Sequence, residues 1–147
     1  MFKRILVPTD GSDLAGRAVA GAIELARTQG ASLVALHVFP HLPGAQHSSA
    51  APFLQQLEPR YEKGQREEAE AILGEVAKSA KAVGVPVSTV VVESEDIHGQ
   101  IIAVANQEGC DLICMASHGH SGVVALVLGD ETHKVLIGTN LPVLVFR

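Results

Sequence analysis

The chain has 147 residues and a formal net charge of −5, and its composition is 47% hydrophobic and 18% charged. This balance fits one globular domain over residues 1–147 with a sizeable core, and it excludes a disordered chain. A mildly acidic protein has no general attraction for DNA, RNA or an anionic membrane. We therefore expect no nucleic-acid partner and no membrane partner.

The apolar runs are too short for export or membrane insertion. The start, MFKRILVP, has basic residues beside an apolar run, but that run is far shorter than the core of a signal peptide. No run approaches the length of a membrane span. Cys110 and Cys114 fit a reducing compartment, and we interpret them as buried thiols rather than metal ligands. These features predict a cytoplasmic protein.

Five short apolar runs recur along the chain. They are rich in Val, Ile and Leu and mostly do not alternate with polar residues, as is typical of parallel strands covered on both faces. The predicted strands are Ile5–Val7, Leu33–Phe39, Val85–Val92, Leu112–Ala116 and Val143–Phe146.

Four helices are predicted between these strands. The first begins at Ser12, a good N-cap, and ends near Gly30. The others run from about Pro59 to Val83, from about Asp96 to Gln107, and from Gly129-Asp130 to near Gly138. Alternating strands and helices predict an α/β fold with right-handed crossovers.

Two stretches fit neither pattern. Residues 40–58 mix Pro, Gly, Ser and Ala with little periodicity, which predicts a surface loop between the second strand and the second helix. Val123–Leu128 is apolar enough for a sixth strand. Because it lies between two glycine turns, we favour a compact turn leading into the last helix.

In an open parallel sheet, ligands bind beyond the carboxyl ends of the strands, where the strand order reverses. Pro8 ends the first strand because it has no N–H, and Gly11 lets the chain turn into the first helix. Asp10, between them, is placed to accept hydrogen bonds from a ribose or a base edge. The alternative is that Asp10 and Ser12 only cap the helix.

A glycine-rich turn, MASHGHSG, follows the fourth strand at residues 115–122. Glycines permit close approach of the backbone to a ligand, and the start of the last helix, at Gly129, favours anions. On its own, a Gly-x-x-Gly turn is most often only a turn.

The segments KRILVPTDGS, LVALHVF, DLICMASHGHSG and LIGTNLPVLVFR resemble the universal stress protein family over nearly the whole chain. The resemblance implies a Rossmann-like fold, similar to the adenine nucleotide alpha hydrolases: a five-stranded parallel sheet of order 3-2-1-4-5 with helices on both faces. It also implies a small stress-response protein with an adenine-nucleotide-type pocket.

The resemblance further implies a homodimer formed through the C-terminal strand, residues 142–146. An apolar edge strand is an aggregation hazard, and pairing with a second copy removes it. The alternative is a monomer in which Pro142 and Arg147 blunt the edge.

The lining of the pocket is also implied by the resemblance. Nucleotide-binding members wrap the phosphates in Gly-x-x-Gly, nine residues, then Gly-Ser/Thr, and the same register here reads Ala116-x-x-Gly119, nine residues, Gly129-Asp130. The adenine and ribose would contact Pro8, Thr9, Asp10 and Val38. The wall, the turn and the phosphate end would be formed by Met115, Ala116, His118, Gly119, Gly122, Gly129, Asp130, Glu131 and Thr132.

Asp130 stands where that motif has Ser or Thr, so an acceptor-only anion replaces a hydroxyl donor. Two like charges about 4 Å apart cost roughly 4 kcal/mol at an effective dielectric near 20, and about 1 kcal/mol in open water. Glu131 adds to this repulsion, and Asp130 is expected to cap the helix in place of a phosphate. We therefore expect AMP or ADP to bind better than ATP.

Two alternative functions stay open. A divalent metal bridging Asp130 and the phosphates would permit ATP binding and a slow ATPase, although no nucleophile lies beside a base and we assign no catalytic residue. The other alternative is an interaction module that binds no nucleotide. His118 and His120 could join Asp130 around a metal, but their spacing matches no recognised zinc pattern, so we predict no bound metal.

Overall fold

The computed structural model describes residues 1–45, 48–117 and 128–147. Strands and helices alternate along these residues. In chain order they are β1 (Arg4–Pro8), α1 (Asp13–Gln29), β2 (Ser32–Phe39), α2 (Ala51–Ala82), β3 (Val87–Glu93), α3 (Ile97–Gln107), β4 (Leu112–Ala116), α4 (Asp130–Gly138) and β5 (Val143–Phe146). The five predicted strands and the first, third and fourth predicted helices are confirmed.

The five strands form one sheet of order β3-β2-β1-β4-β5, and every neighbouring pair is parallel. The chain therefore adds β2 and β3 on one side of β1, and after α3 it adds β4 and β5 on the other side. The α/β fold and the strand order that the family resemblance implies are confirmed. The reversal lies between β1 and β4.

Both faces of the sheet are covered by helices. Successive residues of a strand point to opposite faces, so Ile5 and Val7 belong to one core and Leu6 to the other. Helices α1 and α2 pack on the first core, and α3 and α4 pack on the second. This burial on two sides explains why the strands read as nearly continuous apolar runs.

Helix α1 has the ends that its sequence predicts. The Ser12 Oγ accepts a hydrogen bond from the Ala15 N–H at 3.2 Å, which satisfies one of the free donors of the first turn. At the other end Gly30 adopts a left-handed conformation, with φ of 67°, that favours glycine. The two caps fix the residues at which α1 begins and ends.

The prediction of a surface loop over residues 40–58 is wrong for its second half, because α2 begins at Ala51 and continues through Pro59. Residues 51–58 include no fully buried side chain, and the apolar Phe53 and Leu57 are 63% and 42% exposed. This part of α2 therefore lacks the apolar periodicity by which a helix is recognised. Pro52 suits the first turn, where its missing N–H has no partner to lose.

Length alone does not make α2 a membrane segment. Its 32 residues include many charged side chains, and its mean hydropathy is negative. Among the helices within the described ranges, none combines the length and apolar character that a bilayer crossing needs.

Cys110 and Cys114 are both buried and unpaired, as predicted. Burial raises the pKa of the Cys110 thiol to about 11 and that of Cys114 to about 12. Since the thiolate is the form that attacks electrophiles and binds metals, these groups are inert near neutral pH. Their role is to fill the core.

Candidate functional site

The carboxyl ends of β1 and β4 lie side by side at the reversal of strand order. This is the place where open parallel sheets bind their ligands. Residues 9–12 follow β1 there, and Ser117 follows β4. We call the space between these two segments the crevice.

Two hydrogen bonds anchor the turn after β1 to β2. The Thr9 N–H donates to the Leu36 carbonyl at 2.9 Å, and the Thr9 carbonyl lies 2.9 Å from His37 Nδ1. Because a carbonyl oxygen only accepts, His37 Nδ1 is the donor. His37 is buried, and it holds the backbone of Thr9 in place.

The rest of the turn is braced from within. The Asp10 Oδ1 accepts a hydrogen bond from the Ser12 N–H at 2.9 Å, and the Thr9 Oγ1 accepts one from the Gly11 N–H at 3.2 Å. Gly11 has a φ of +80°, and a Cβ there would lie 3.0 Å from the Ile72 side chain. The prediction that Ser12 caps α1 is confirmed. The Asp10 side chain is half-buried, and its hydrogen bond within the turn holds it at the mouth of the crevice.

Four of the predicted site residues are apolar. Met115 and Ala116, at the end of β4, are buried, and Met115 packs into the core beneath α3 and α4. Pro8 and Val38, at the ends of β1 and β2, are half-buried. These four predicted residues lie at the carboxyl ends of three adjacent strands.

The backbone of Ser117 joins β4, β5 and α4. Its N–H donates to the Phe146 carbonyl at 2.7 Å, and its carbonyl accepts from the Gly129 N–H at 2.7 Å. The same carbonyl lies 3.3 Å from the Thr132 Oγ1. No residue-type pattern predicts this junction, because backbone groups make it and every residue carries them.

The Thr132 hydroxyl also serves this junction. Thr132 is 3% exposed, and its Oγ1 donates to the Ala116 carbonyl at 2.9 Å. The resemblance implies that Thr132 faces the phosphates, but its hydroxyl is used to hold α4 against the end of β4. Its contribution to the crevice is to fix the start of that helix.

The prediction that Asp130 caps α4 is wrong. Gly129 is the N-cap, and among residues 128–147 the structure shows no capping hydrogen bond from a side chain there. Asp130 is the first residue inside the helix, and its Oδ2 lies 2.6 Å from the Nζ of Lys134, one turn further on. The hydrogen bond from Lys134 lowers the pKa of Asp130, and the same bond raises the pKa of Lys134.

Glu131 points toward the start of α3. Its Oε2 accepts a hydrogen bond from the His98 N–H at 2.9 Å and lies 3.2 Å from His98 Nδ1. Its Oε1 lies 3.3 Å from the Lys134 Nζ. Glu131 thereby links α4 to α3, and Lys134 partly neutralises both carboxylates at this end of the crevice. This network was not predicted, because His98 lies 33 positions from Glu131 in the sequence.

The remaining predicted residues fall outside the part of the chain that the structure describes. They are His118, Gly119 and Gly122, together with His120 and residues 123–127 of the predicted turn. The described part of the crevice consists of the ends of β1, β2 and β4, the residues that follow β1 and β4, and the start of α4.

The model of the universal stress protein family matches this chain over residues 1–147. A universal stress protein of Bacillus subtilis, YxiE, is 31% identical over the whole of both chains. One from Thermus aquaticus is 33% identical, again over the whole of both chains. The solved structure of MJ0577, whose sequence is from Methanocaldococcus jannaschii, has a TM-score of 0.83 at 29% identity and covers 99% of this chain and 96% of its own.

Two solved structures with lower identity share the fold and contain nucleotides. A universal stress protein in complex with cAMP is 22% identical, with a TM-score of 0.68 over 99% of this chain and 97% of its own. One from Archaeoglobus fulgidus in complex with dAMP is 18% identical, with a TM-score of 0.69 over 99% of this chain and 98% of its own. At these identities the likeness concerns the fold.

Proposed function

The chain belongs to the universal stress protein family, and we propose that it is a small stress-response protein whose crevice holds an adenine nucleotide. The adenine and ribose lie against Pro8, Thr9, Asp10 and Val38, with Met115 and Ala116 as the wall. The phosphate end lies toward Gly129 and the first turn of α4.

The start of α4 is the observation that carries this proposal. It stands at the carboxyl end of β4, beside the crevice, and within the described residues its N-cap, Gly129, provides no side-chain cap. An uncapped helix start offers backbone N–H groups and the positive end of the helix dipole, which together favour an anion. The family neighbours in complex with cAMP and dAMP support a ligand with a single phosphate group.

The charges beside α4 favour AMP or ADP over ATP. Asp130 is 76% exposed, so its repulsion of a phosphate is close to the figure for open water, about 1 kcal/mol for each like pair about 4 Å apart. That energy corresponds to roughly a fivefold loss of affinity. A triphosphate carries more negative charge than a monophosphate and forms more such pairs.

Replacement of Asp130 by serine is expected to raise ATP affinity about fivefold and AMP affinity less, because one like charge is removed and Lys134 is released toward the phosphates. Isothermal titration with AMP, ADP and ATP, each with and without magnesium, measures this. Glu75→Ser is the matched control. It removes the same charge from an exposed position in the second half of α2.

The same titrations separate the alternatives. Unchanged ATP affinity in Asp130→Ser, or an equal gain in Glu75→Ser, would contradict the electrostatic explanation. Micromolar ATP binding that requires magnesium and is accompanied by phosphate release would favour the slow ATPase. Absence of binding by every nucleotide would favour an interaction module.

A homodimer through residues 142–146 belongs to the same proposal. Strand β5 lies at one end of the strand order, and only β4 pairs with it among the described residues. Its Leu144 is 41% exposed. An edge of this kind is stabilised by antiparallel pairing with the same strand of a second copy.

Leu144→Lys is expected to convert this dimer to a monomer, because it places a charge in the paired edge. Sedimentation equilibrium measures the mass in solution. Leu57→Lys, which introduces the same side chain at a site 42% exposed on α2, is expected to leave the mass unchanged. A monomeric unmodified protein, or a dimer that survives Leu144→Lys, would overturn this assignment.

We also place the protein in the cytoplasm. Both cysteines are free, and a reducing compartment keeps thiols in that state. Oxidised forms isolated from cells would argue for another compartment.

A further inference from the structure

His41, Glu58 and Glu93 come together at the carboxyl ends of β2 and β3. His41 lies two residues beyond β2, Glu93 is the last residue of β3, and Glu58 lies in the first third of α2. One side-chain donor atom from each residue lies within 4.8 Å of the other two. We call this group the β2–β3 cluster.

Two members of the cluster are joined by a hydrogen bond from the imidazole to the carboxylate, which a bound metal ion would replace. The His41 Nδ1 lies 2.8 Å from the Glu93 Oε1, and these side chains are 35% and 16% exposed. Bonds of about 2.0–2.2 Å in a tetrahedral site place neighbouring ligands roughly 3.3–3.6 Å apart. All three donor atoms lie within 4.8 Å of one another, so side-chain movements of about 1 Å bring them to that geometry.

The surroundings of the β2–β3 cluster are negatively charged. A third carboxylate, Glu95, accepts a hydrogen bond from the His41 N–H at 3.0 Å and orients that residue. Burial raises the pKa of the nearby Tyr61 phenol, and the charges of Glu95 and Glu93 raise it further. Across the described residues, no Lys or Arg forms an ion pair with these three glutamates.

We propose that the β2–β3 cluster is a binding site for a divalent transition-metal ion, with zinc as the best fit. One imidazole nitrogen and two carboxylate oxygens suit zinc better than magnesium or calcium, which take oxygen ligands only. Three protein ligands leave at least one coordination position for water or another ligand. This proposal departs from the sequence-based expectation of no bound metal, and its three ligands are not among the residues assigned to the crevice.

Tyr61 reports directly on this site. It is the only tyrosine, and the chain has no tryptophan, so its fluorescence has no competing source. Its hydroxyl donates to the carbonyl of Pro40 at 3.3 Å, immediately before His41. It also follows Glu58 by nearly one turn of α2, so a paramagnetic ion held by the cluster lies beside it.

The test is a titration of the nucleotide-free, full-length protein with CoCl2, followed by displacement with ZnCl2. Cobalt is expected to quench Tyr61 fluorescence with one equivalent bound, and zinc is expected to reverse the quenching. His41→Ala and Glu93→Gln are each expected to weaken cobalt binding at least tenfold. Glu67→Gln, at an exposed position on the same helix, is expected to leave it unchanged.

Circular dichroism of each variant separates loss of the site from loss of the fold. Glu58→Gln removes the third proposed ligand and is a second check on the site. Glu58 is half-buried on the surface of α2, so its replacement does not disturb the core. No quenching in the unmodified protein would overturn the proposal. So would equal cobalt affinity in folded His41→Ala and the unmodified chain.

Discussion

Replacing Leu6 with alanine is expected to lower the free energy of unfolding by about 2–5 kcal/mol. Leu6 is 0% exposed in the central strand β1, where it faces the core beneath α3 and α4. The substitution removes apolar burial and leaves a cavity, and the strands on both sides restrict the collapse that would fill it. A typical domain is stable by only about 5–15 kcal/mol, so the loss is a large share of the total.

Urea unfolding at one fixed protein concentration measures this difference, since any dimerisation makes the midpoint depend on concentration. Leu136→Ala is the matched control. Leu136 lies on α4 and is 39% exposed, so its truncation is expected to cost well under the Leu6 value. Equal losses at the two sites would show that the core assignment of Leu6 is mistaken.

Two glycines of α1 are expected to respond oppositely to alanine. A helix interior ordinarily gains up to about 1 kcal/mol from Gly→Ala. At Gly16 a Cβ meets nothing within 4 Å, so that gain is expected in full. At Gly21 the Cβ would overlap the Phe146 ring. We expect Gly21→Ala to destabilise the protein by about 1–3 kcal/mol, because α1 or the end of β5 must move.

The same urea experiment tests the pair. Phe146→Leu in the Gly21→Ala background is expected to recover part of the loss, and a double-mutant cycle measures the coupling between the two positions. Gly21→Ala as stabilising as Gly16→Ala would contradict the close packing of α1 against β5. An additive cycle would show that the stability lost in Gly21→Ala does not come from contact with the Phe146 ring.

Local patterns were sufficient to predict the fold elements. Strands buried on both faces become continuous apolar runs, and the ends of α1 follow from Ser12 and Gly30. The same reasoning failed at residues 51–58, which are helical without a buried side. Periodicity reports burial rather than backbone conformation, so an exposed helical segment gives no such signal.

The candidate site was predictable in place but not in contacts. Pro8 ends a strand, Asp10 follows that strand and Gly129 is the N-cap of a helix, and parallel topology brings those positions to one edge. The hydrogen-bond partners of Asp130 and Glu131 depend on how α4 is rotated about its axis relative to α3. Asp130 therefore pairs with Lys134 instead of capping the helix, and Glu131 reaches His98.

The sequence by itself determined the α/β class and the positions of the five strands, because each depends on neighbours within a few residues. The edge at which ligands are expected followed from the parallel arrangement that this class implies. Only the tertiary structure decided the Ser117 junction and the grouping of His41, Glu58 and Glu93. Those contacts join residues that are distant in the chain. Strand order and helix rotation bring them together, and no local spacing encodes either one.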